Sequence, residues 1–542
     1  MIKKKFFPAL VCILLLSVIG CEDTAIAPTP ADTDEPTAVP ALRSTPEPTS
    51  EAEQIPTAEP AAEELVANEP EEAEPTAAAI EFPKRVLVLY TNDEHGWMEG
   101  VDENLGAANL MGTWAQNHDL DSYDAVIKIS GGDMWTGPAI STWFSGESMV
   151  EVLNAMDYTA ATVGNHEFDF GLEQLTKNGA NSTFPFVSAN IRWQESGETP
   201  TDLNIQPFTI QDFNGLKVGI TGLTTGSTPQ TTNPINVRDF EFLGYAEALQ
   251  EIVPQMEAAD ADLILVPGHI CLFELRLLAV QVSGLPIDLM GGGHCNELYA
   301  DTLSGIPTLI GGSHMAAYSW AELMVDESGG ELIDIGQEWT SDEAPADSAV
   351  AEIVGRWQDQ TDAALNIKIG ELQSPLARRG IEQQAMITES WLWWFPTADV
   401  AFTNLGGFRA DLTAGDVTQG TIINVFPFNN VVIEVDMTGE QLINILNRRA
   451  DDLAIGGVKR SGRDWVFKSS GESLDPSATY TILVNDFMFA GGDGYENLAQ
   501  IDPEGYNTAV DWRQPLIDWI SDGDGSQTLE QRISDLIVNG AR

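Results

Sequence analysis

Residues 85–95 read RVLVLYTNDEH, an apolar run that passes directly into polar residues. The run from Arg85 to Tyr90 has the length and composition of a buried β-strand. Asp93 and His95 follow it, and residues two apart in an extended segment project from the same face. Both side chains can therefore reach one bound ion, so this strand end is a candidate metal site.

Four further strand-like runs end at residue types that bind divalent metals. Asp133 follows Ala125 to Ser130, Asn165 follows Ala160 to Gly164, His269 follows Leu263 to Gly268, and His294 with Asn296 follows Ile287 to Gly293. Taken singly, such a residue is more often a turn former or a helix cap. Seven of them at strand ends, where open α/β sheets place their sites, favour a metal centre. His, Asp and Asn ligands suit zinc, manganese, iron or similar ions.

The segment Gly164 to Asp169, GNHEFD, adds a histidine beside the candidate ligand Asn165. The carboxylate of Asp169 lies three positions after His166, which suits a general acid with its orienting partner. The alternative is a structural histidine with a capping role. The neighbouring ligands favour the catalytic interpretation.

These motifs resemble those of the calcineurin-like metallophosphatases, and within them the secreted bacterial and ecto 5′-nucleotidases. The resemblance covers residues 84 to about 540 and rests on TNDEHG (91–96), GGD (131–133), GNHEFD (164–169), GH (268–269) and GHCN (293–296), in the order of that family. It implies an α/β chain with two domains. The first is a metallophosphatase β-sandwich flanked by helices, and the second is a C-terminal α/β nucleotidase domain that binds substrate.

The resemblance also implies two divalent ions that share one bridging carboxylate, Asp133. One ion is held by Asp93, His95, Asp133 and Asn296, and the other by Asp133, Asn165, His269 and His294. Many relatives carry a histidine where this chain has Asn296, so the identity of the metals stays open. Two ions can activate water and clamp a phosphate ester, and His166 stabilises the transition state or protonates the leaving group.

The second half of the chain carries a glycine-rich segment after the strand-like run Asp399 to Thr403, reading NLGGFR from Asn404 to Arg409. Glycines such as Gly407 let a ligand approach the backbone closely. Arg409 offers a planar fork of donors suited to phosphate, and Arg378 or Arg379 can add a second. The segment after these two arginines departs from the family pattern, which leaves their register open.

Two aromatic segments, Phe426 to Asn429 and Asn485 to Tyr495, resemble the nucleoside pocket of the family. The resemblance implies that Phe428 and Phe487 sandwich the base and that Asp493 binds sugar hydroxyls. Asn404 and Arg409 then hold the substrate phosphate. Stacking tolerates any base, so broad nucleotide use is expected. The alternatives are a core role for Phe428 and a plain hairpin turn around Asp493.

The N-terminus has the features of a bacterial lipoprotein signal. Three lysines precede an apolar stretch from Phe6 to Ile19 that is short for a membrane span. Val18 to Cys21 resembles a lipobox, which implies cleavage before Cys21 and a lipid on its sulfur. We therefore expect residues 1–20 to be a signal peptide and the protein to be extracytoplasmic and lipid-anchored. An ordinary signal with a free Cys21 is the alternative.

Composition divides the rest of the chain. Residues 21–82 are rich in Pro, Thr, Ala and Glu and are expected to form a disordered acidic stalk. The remaining chain exceeds one compact core. We expect a metallophosphatase domain at 83–343, a linker helix at 344–368, with Ser348 to Ala364 as its helical pattern, and a nucleotidase domain at 369–542.

The charge excludes one class of partner. With 83 acidic and 26 basic residues the net charge is −57, which argues against binding nucleic-acid polymers and leaves small nucleotides as the expected ligands.

Cys271 and Cys295 each lie close to a proposed ligand, and an external compartment permits a disulfide between them. The oligomeric state is left open by the sequence.

The sequence therefore predicts a dinuclear-metal phosphohydrolase that releases phosphate from nucleoside 5′-monophosphates. Hydrolysis of UDP-sugars or 2′,3′-cyclic nucleotides is a possible extension. Two other hypotheses are a sulfur-compound hydrolase on the same scaffold and a surface binding protein that has lost turnover. The GNHEFD segment, with His166, argues against both.

Overall fold

In the computed structural model, the first predicted strand runs from Lys84 to Thr91 inside a seven-stranded sheet. Its side chains alternate between two apolar cores. Val86, Val88 and Tyr90 face one core, while Leu87 and Leu89 face the other. Burial on both faces explains why this strand is a continuous apolar run and not an alternating one.

The structure describes residues 81–100, 105–495 and 497–541, which belong to one compact unit. The predicted signal peptide, Cys21 and all but the last two residues of the predicted stalk lie outside the described residues. Among the described residues, no helix combines the length and the apolar character needed to cross a bilayer.

Two large sheets form the first half of the described chain. The seven-stranded sheet has the spatial order Gly329–Trp339, Ala317–Asp326, Lys84–Thr91, Ala125–Ser130, Ala160–Thr162, Phe186–Val187 and Ile205–Gln206. The six-stranded sheet has the order Leu298–Leu303, Ile306–Gly311, Leu289–Gly291, Leu263–Val266, Leu216–Thr221 and Phe208–Phe213. The ligand-bearing strands are parallel within each sheet, so their carboxyl ends meet at one edge.

The two sheets pack face to face as a β-sandwich. One apolar cluster contains Val88 and Ile127 of the first sheet together with Val218 and Leu265 of the second. The outer face of each sheet packs against its own helices. This is the helix-flanked sandwich expected for the first domain.

Helices cover both halves of the chain. The α-helices are Gly106–Asn117, Ala139–Thr142, Glu147–Ala155, Gly171–Asn181, Thr228–Thr231, Pro234–Val237, Tyr245–Ala258, Leu272–Gln281, Ser348–Leu365, Ile381–Trp394, Gln419–Val425, Gly439–Arg449, Asp486–Phe489, Asn497–Ile501, Gln514–Ser521 and Leu529–Asn539. The 3-10 turns are Leu120–Ser122, His166–Phe168, Thr201–Leu203, Leu405–Gly407, Ala450–Asp452 and Gly492–Gly494. The helix Ser348–Leu365 covers the predicted linker pattern, and its role as a linker stays a prediction.

The second domain is built around a mixed five-stranded sheet. Its spatial order is Leu453–Gly456, Val400–Asn404, Thr479–Asn485, Val431–Thr438 and Tyr506–Asp511. Apolar clusters lie on both faces of this sheet, one around Trp391 and one around Leu446. The chain is therefore a two-domain α/β protein, and the residue boundaries predicted for each domain stay predictions.

Small two-stranded ribbons complete the structure. They pair Ile191–Trp193 with Phe240–Phe242, Leu223–Thr224 with Gly268–His269, Lys368–Leu372 with Gly415–Thr418, and Val458–Ser461 with Asp464–Phe467. The ribbon that contains His269 continues two neighbouring strands of the six-stranded sheet beyond their carboxyl ends. It brings this histidine close to the first sheet.

The Tyr90 hydroxyl joins the two sheets beside the predicted metal ligands. It lies 3.1 Å from the carbonyl oxygen of Gly292 and 3.3 Å from that of Gly268, and it can donate to either. These glycines directly precede the segments that hold His269 and His294. Burial raises the pKa of Tyr90 far above its usual value, so the hydroxyl stays a neutral donor.

We expect Tyr90→Phe to lower the free energy of unfolding by about 1–2 kcal/mol, because the buried carbonyls lose the one hydrogen that the hydroxyl can donate. Urea unfolding followed by tryptophan fluorescence measures the change. Tyr506→Phe is the matched control, since that side chain is 65% exposed. Equal stability of both variants would contradict the role given to the Tyr90 hydroxyl.

Candidate metal centre and nucleotide pocket

Hydrogen bonds between neighbouring strand ends hold the first candidate ligands together. The Asp93 and His95 amides donate to the carbonyl oxygens of Gly132 and Asp133, each at 2.9 Å. The side chains of Asp93, His95 and Asp133 are all buried. The parallel pairing of their strands thus brings residues 40 positions apart into one site.

The backbone at these positions is unusual for residues with side chains. Five of the seven predicted ligands have positive φ, namely Asp93 (51°), His95 (47°), Asp133 (61°), His294 (71°) and Asn296 (54°). This left-handed conformation costs free energy in non-glycine residues and clusters at functional sites, where the surrounding structure enforces it. The clustering of this conformation at neighbouring strand ends agrees with a site there, although turn residues such as Asp157 and Asn204 share it.

Asp133 lies between two groups of possible ligands. The atoms of His95, Asp133 and His166 lie within 4.8 Å of one another, as do those of Asp133, His269 and His294. His269 Nε2 is 2.9 Å from Asp133 Oδ2, and His95 Nε2 is 3.7 Å from Asp93 Oδ1. Among the described residues, Asp133 alone belongs to both groups, which is the placement expected of a shared carboxylate.

Outer hydrogen bonds fix which atom of each ligand faces the centre. The Nδ1 atoms of His95 and His269 lie 3.0 and 2.9 Å from the carbonyl oxygens of Thr136 and Gly131. A carbonyl only accepts, so Nδ1 carries the proton and Nε2 presents its lone pair inward. The amide nitrogen of Asn165 donates to the Thr231 carbonyl, which leaves the Asn165 oxygen for the centre.

Three buried atoms in this centre have no hydrogen-bond partner: Asp93 Oδ1, Asn165 Oδ1 and His269 Nε2. His269 Nε2 and Asp133 Oδ2 lie 2.9 Å apart, and a hydrogen joins them only when His269 carries a second proton on Nε2, a position that a metal would take instead. Buried unpaired acceptors are costly. A cation between them removes that cost, so the residues present fit a bound divalent metal.

The titration of the carboxylates points the same way. Burial, together with the nearby Asp133 carboxylate, raises the pKa of Asp93 to about 6. Burial also disfavours the charge on Asp133, but His269 and His166 outweigh it and hold the pKa of Asp133 well below its usual range. Two buried acidic groups side by side therefore create a site that favours positive charge.

His166 and Asp169 form a close pair at the edge of the centre. His166 Nδ1 lies 2.6 Å from Asp169 Oδ2, and the Thr232 hydroxyl donates to Asp169 Oδ1 at 2.7 Å. His166 Nε2 is 4.0 Å from Asp133 Oδ2. Burial alone lowers the pKa of His166, but Asp169 and Asp133 outweigh it, so the pKa lies above its usual value. The pair has the geometry of a positioned proton donor.

A cavity of about 240 Å³ lies between this centre and the second domain. From the first domain it is lined by His95, Asp133, Asn165, His166, Asp169, His294 and Asn296. From the second domain it is lined by Asn404, Gly407, Arg409, Phe428, Phe487 and Asp493. The structure thus brings most predicted site residues of both domains around one space, whereas Asp93 is buried and does not line it. His269 lies behind it, fully buried.

The second-domain residues approach the centre closely. Arg409 Nη2 lies 3.3 Å from His95 Nε2, and the Phe428 ring is 5.7 Å from the His166 ring between centroids. The Arg409 guanidinium carbon lies 5.8 Å from the Phe428 centroid. A phosphate beside the metal ligands can therefore meet Arg409 while an attached group meets Phe428.

Asn404 and Asp493 are joined to each other, as a pair on the cavity wall. The Asn404 amide nitrogen donates to Asp493 Oδ2 at 2.8 Å, and its oxygen accepts from Asn485 at 2.9 Å. Burial raises the pKa of Asp493, although the bond from Asn404 opposes that shift. Asn404 therefore orients the carboxylate predicted to bind sugar hydroxyls, in addition to lying near the predicted phosphate position.

Three predicted residues lie less centrally. Arg378 and Arg379 do not line the main cavity: Arg378 Nε donates to the Phe408 carbonyl, and Arg379 lines an adjoining cavity of about 370 Å³ that shares Asp493. Asn296 lines the main cavity but is exposed at its mouth. Its predicted role as a ligand stays a prediction.

Sequence reasoning missed several residues of the cavity wall. Thr231, Thr232 and Asn233 line it from a polar segment without a motif. Trp512 also lines it, and its indole nitrogen donates to the Phe428 carbonyl at 2.8 Å. Only the three-dimensional packing brings these residues to the site, so no local pattern could have revealed them.

A disulfide joins Cys271 to Cys295, with Cα atoms 5.3 Å apart. Cys271 lies two residues after His269 and Cys295 directly follows His294. The bond therefore ties together the two segments that carry the histidines near Asp133.

We expect peptide mapping of the unreduced protein to yield a cross-linked pair of peptides that contain Cys271 and Cys295. Reduction should release the two peptides, because the disulfide is their only covalent link. Mass spectrometry after proteolysis detects both states, and Cys271→Ser is the control in which the pair is absent. Recovery of both cysteines as free thiols from the unreduced wild type would contradict the pairing.

Comparison with known proteins agrees with this geometry. The family model described as 5′-nucleotidase, C-terminal domain, matches residues 382–500. A 5′-nucleotidase of Vibrio cholerae is 27% identical over 504 residues, covering 80% of this chain and 90% of the relative. The structure of a 5′-nucleotidase precursor from Thermus thermophilus gives a TM-score of 0.67 at 23% identity, covering 81% of this chain and 96% of that chain.

The fold is also shared with another hydrolase. The sulfate thiohydrolase SoxB of Thermus thermophilus gives a TM-score of 0.62 at 14% identity, covering 82% of this chain and 95% of that chain. At such identities a structural match shows the fold alone. The choice between substrates must therefore come from the residues of the site.

The helix-flanked sandwich, its buried ligand set and the second α/β domain define a metallophosphatase of the calcineurin-like class, which is a class of hydrolases. Residues 382–500 match the family model of the 5′-nucleotidase C-terminal domain, and the chain shares its fold with a 5′-nucleotidase precursor.

Proposed function

We propose that this protein is a dinuclear-metal phosphohydrolase that releases phosphate from nucleoside 5′-monophosphates. The observation that carries the proposal is the single cavity in which the ligand set around Asp133 faces Arg409, Phe428, Phe487 and Asp493. A phosphate ester needs positive charge and an activated water, and a nucleoside needs an aromatic surface and a sugar acceptor. The cavity offers residues suited to each of these tasks.

Seven residues are proposed to hold the metals. Asp93, His95, Asp133 and Asn296 would hold one ion, and Asp133, Asn165, His269 and His294 would hold the other. When bound, such ions supply positive charge and lower the pKa of water towards neutrality. The protein contributes by orienting the ligands through the carbonyls of Thr136, Gly131 and Thr231.

His166 is proposed to act on the leaving group. Its Nδ1 proton is held by Asp169, so Nε2 is the atom that faces the cavity. With the carboxylates nearby raising its pKa, the ring can hold a second proton on Nε2. Donation of that proton to the ribose 5′ oxygen would neutralise the departing alkoxide as the bond to phosphorus breaks.

The second domain is proposed to select a nucleotide. Arg409 would bind phosphate oxygens, Phe428 and Phe487 would stack on the base, and Asp493, held by Asn404, would accept from sugar hydroxyls. Stacking gives little preference among bases, so we propose broad specificity that extends to UDP-sugars or 2′,3′-cyclic nucleotides. The relative from Vibrio cholerae, named a 5′-nucleotidase, supports the proposal.

An extracytoplasmic, lipid-anchored location is proposed from the N-terminal sequence. Lipid on Cys21 would tether the enzyme, and residues 21–82 would act as a spacer. The Cys271–Cys295 disulfide supports this location, since such bonds persist in oxidising compartments.

We expect metal-reconstituted protein to release phosphate from 5′-AMP and His166→Ala to lower kcat by about 10² to 10⁴-fold, because it removes a positioned proton donor. A colorimetric phosphate assay with 5′-AMP, UDP-glucose and 2′,3′-cyclic AMP measures this. His118→Ala is the matched control, since that histidine contacts Tyr318 and neither residue lines the cavity.

The assay separates the proposal from the other two hypotheses. A wild type that cleaves no phosphate ester with zinc or manganese is a binding protein or acts on another substrate class. Thiosulfate-ester cleavage without phosphate release would favour the sulfur-compound hydrolase. Equal loss in the His118 and His166 variants would remove the special role of His166.

We expect Asp133→Ala to lose both metals, because Asp133 is the one described residue that both groups of candidate ligands share. Inductively coupled plasma mass spectrometry of dialysed protein should show about two ions per chain in the wild type and fewer than one in the variant. Asp334→Ala, on an exposed edge strand, is the control that should keep the wild-type content. Retention of a full complement of metal by Asp133→Ala would contradict the shared ligand.

A further inference from the structure

The polar segment from Ser227 to Asn236 forms hydrogen bonds with the proposed catalytic pair and with proposed metal ligands. Its Thr231 carbonyl accepts from Asn165, and its Asn236 amide donates to the Phe168 carbonyl. Ser227 Oγ lies 3.4 Å from His294 Nε2. The segment is thus a common scaffold for groups that come from two different strand ends.

Thr232 makes the most direct of these contacts. Its hydroxyl donates to Asp169 Oδ1 at 2.7 Å, and Asp169 Oδ2 lies 2.6 Å from His166 Nδ1. Among the described residues, these are the hydrogen bonds that the two Asp169 carboxylate oxygens make to side chains. Thr232 itself is 2% exposed, so water does not readily replace its hydroxyl.

We propose that Thr232 is a positioning residue that completes a Thr232–Asp169–His166 chain. The inference rests on the proposed function, in which His166 donates a proton to the leaving group. A carboxylate held by one bond can rotate about its Cβ–Cγ bond. The second bond, from Thr232, fixes the carboxylate plane, which in turn fixes the imidazole ring and aims its Nε2 into the cavity.

Thr232 is proposed to act through Asp169 and His166 and not on the substrate itself. Removal of its hydroxyl should therefore lower kcat. The hydroxyl is committed to Asp169, whereas substrate binding is proposed to depend on Arg409, Phe428 and Phe487. Loss of the hydroxyl should lower the fraction of bound complexes in which His166 is correctly aimed. It should leave the contacts that set affinity unchanged.

The test compares Thr232→Val, which keeps the shape and removes the hydroxyl, with Thr232→Ser, which restores it. With 5′-AMP we expect Thr232→Val to lower kcat about tenfold, the scale typical of an outer orienting partner, with KM unchanged. Thr232→Ser should recover most of the loss. Thr388→Val is the control for deletion of a buried hydroxyl, since Thr388 donates only to Gln384 of its own helix.

A double variant decides whether Thr232 acts through His166. In the His166→Ala background, Thr232→Val should cause no further loss of kcat, because the group that it positions is already absent. An additional tenfold loss in that background would overturn the inference. So would equal kcat for wild type and Thr232→Val, or a loss that serine fails to rescue and that accompanies a lower melting temperature.

Different results would contradict the proposed function and the positioning role of Thr232. A wild type that hydrolyses 5′-AMP while Thr232→Val keeps full kcat leaves the proposed function standing and removes only the positioning role. A wild type that hydrolyses no phosphate ester removes the proposed function and this inference with it.

Discussion

The central constraint in this protein is the burial of lone pairs that have no hydrogen to accept. Asp93, Asn165 and His269 each carry a buried acceptor atom without a hydrogen-bond partner, and His269 Nε2 lies 2.9 Å from Asp133 Oδ2. In an apolar interior, such an arrangement is unfavourable unless a cation occupies it. The outer carbonyls keep these lone pairs directed inward, and the Tyr90 hydroxyl and the Cys271–Cys295 bond join the segments that carry them.

The sandwich explains why the constraint can be met at one edge. Parallel strands of both sheets end near one another, so the predicted ligands all lie within a short segment after their strands. The second domain then closes the open side of this edge with Arg409 and Phe428. The resulting cavity has a polar, metal-binding floor and an aromatic wall, which suits a phosphate ester that carries a flat base.

Much of this site could be predicted from the sequence because its ligands follow their strands directly. Asp93, His95, Asp133, Asn165 and His269 are each fixed by local position relative to a strand that is itself easy to recognise. The remainder depends on long-range packing. Thr232 follows Asp169 by 63 residues in a polar segment, and Trp512 comes from the far end of the chain.

Arg378 and Arg379 show most clearly which features of the site the sequence does not predict. Two adjacent arginines carry no pattern that says which one faces a ligand, and the structure turns Arg378 to a backbone carbonyl and Arg379 to the adjoining cavity. Arg409 was predictable because a glycine-rich turn after a strand places it. The contact between Phe428 and His166 depends on how the two domains pack. The local sequence pattern does not predict that packing.

The most direct test is anomalous diffraction from crystals loaded with Mn²⁺ and a nonhydrolysable analogue of a nucleoside 5′-phosphate. We expect two anomalous peaks on either side of the Asp133 carboxylate, with the phosphate group against Arg409 and the base between Phe428 and Phe487. A single peak that Asp133 does not contact, or an analogue bound outside this cavity, would contradict it.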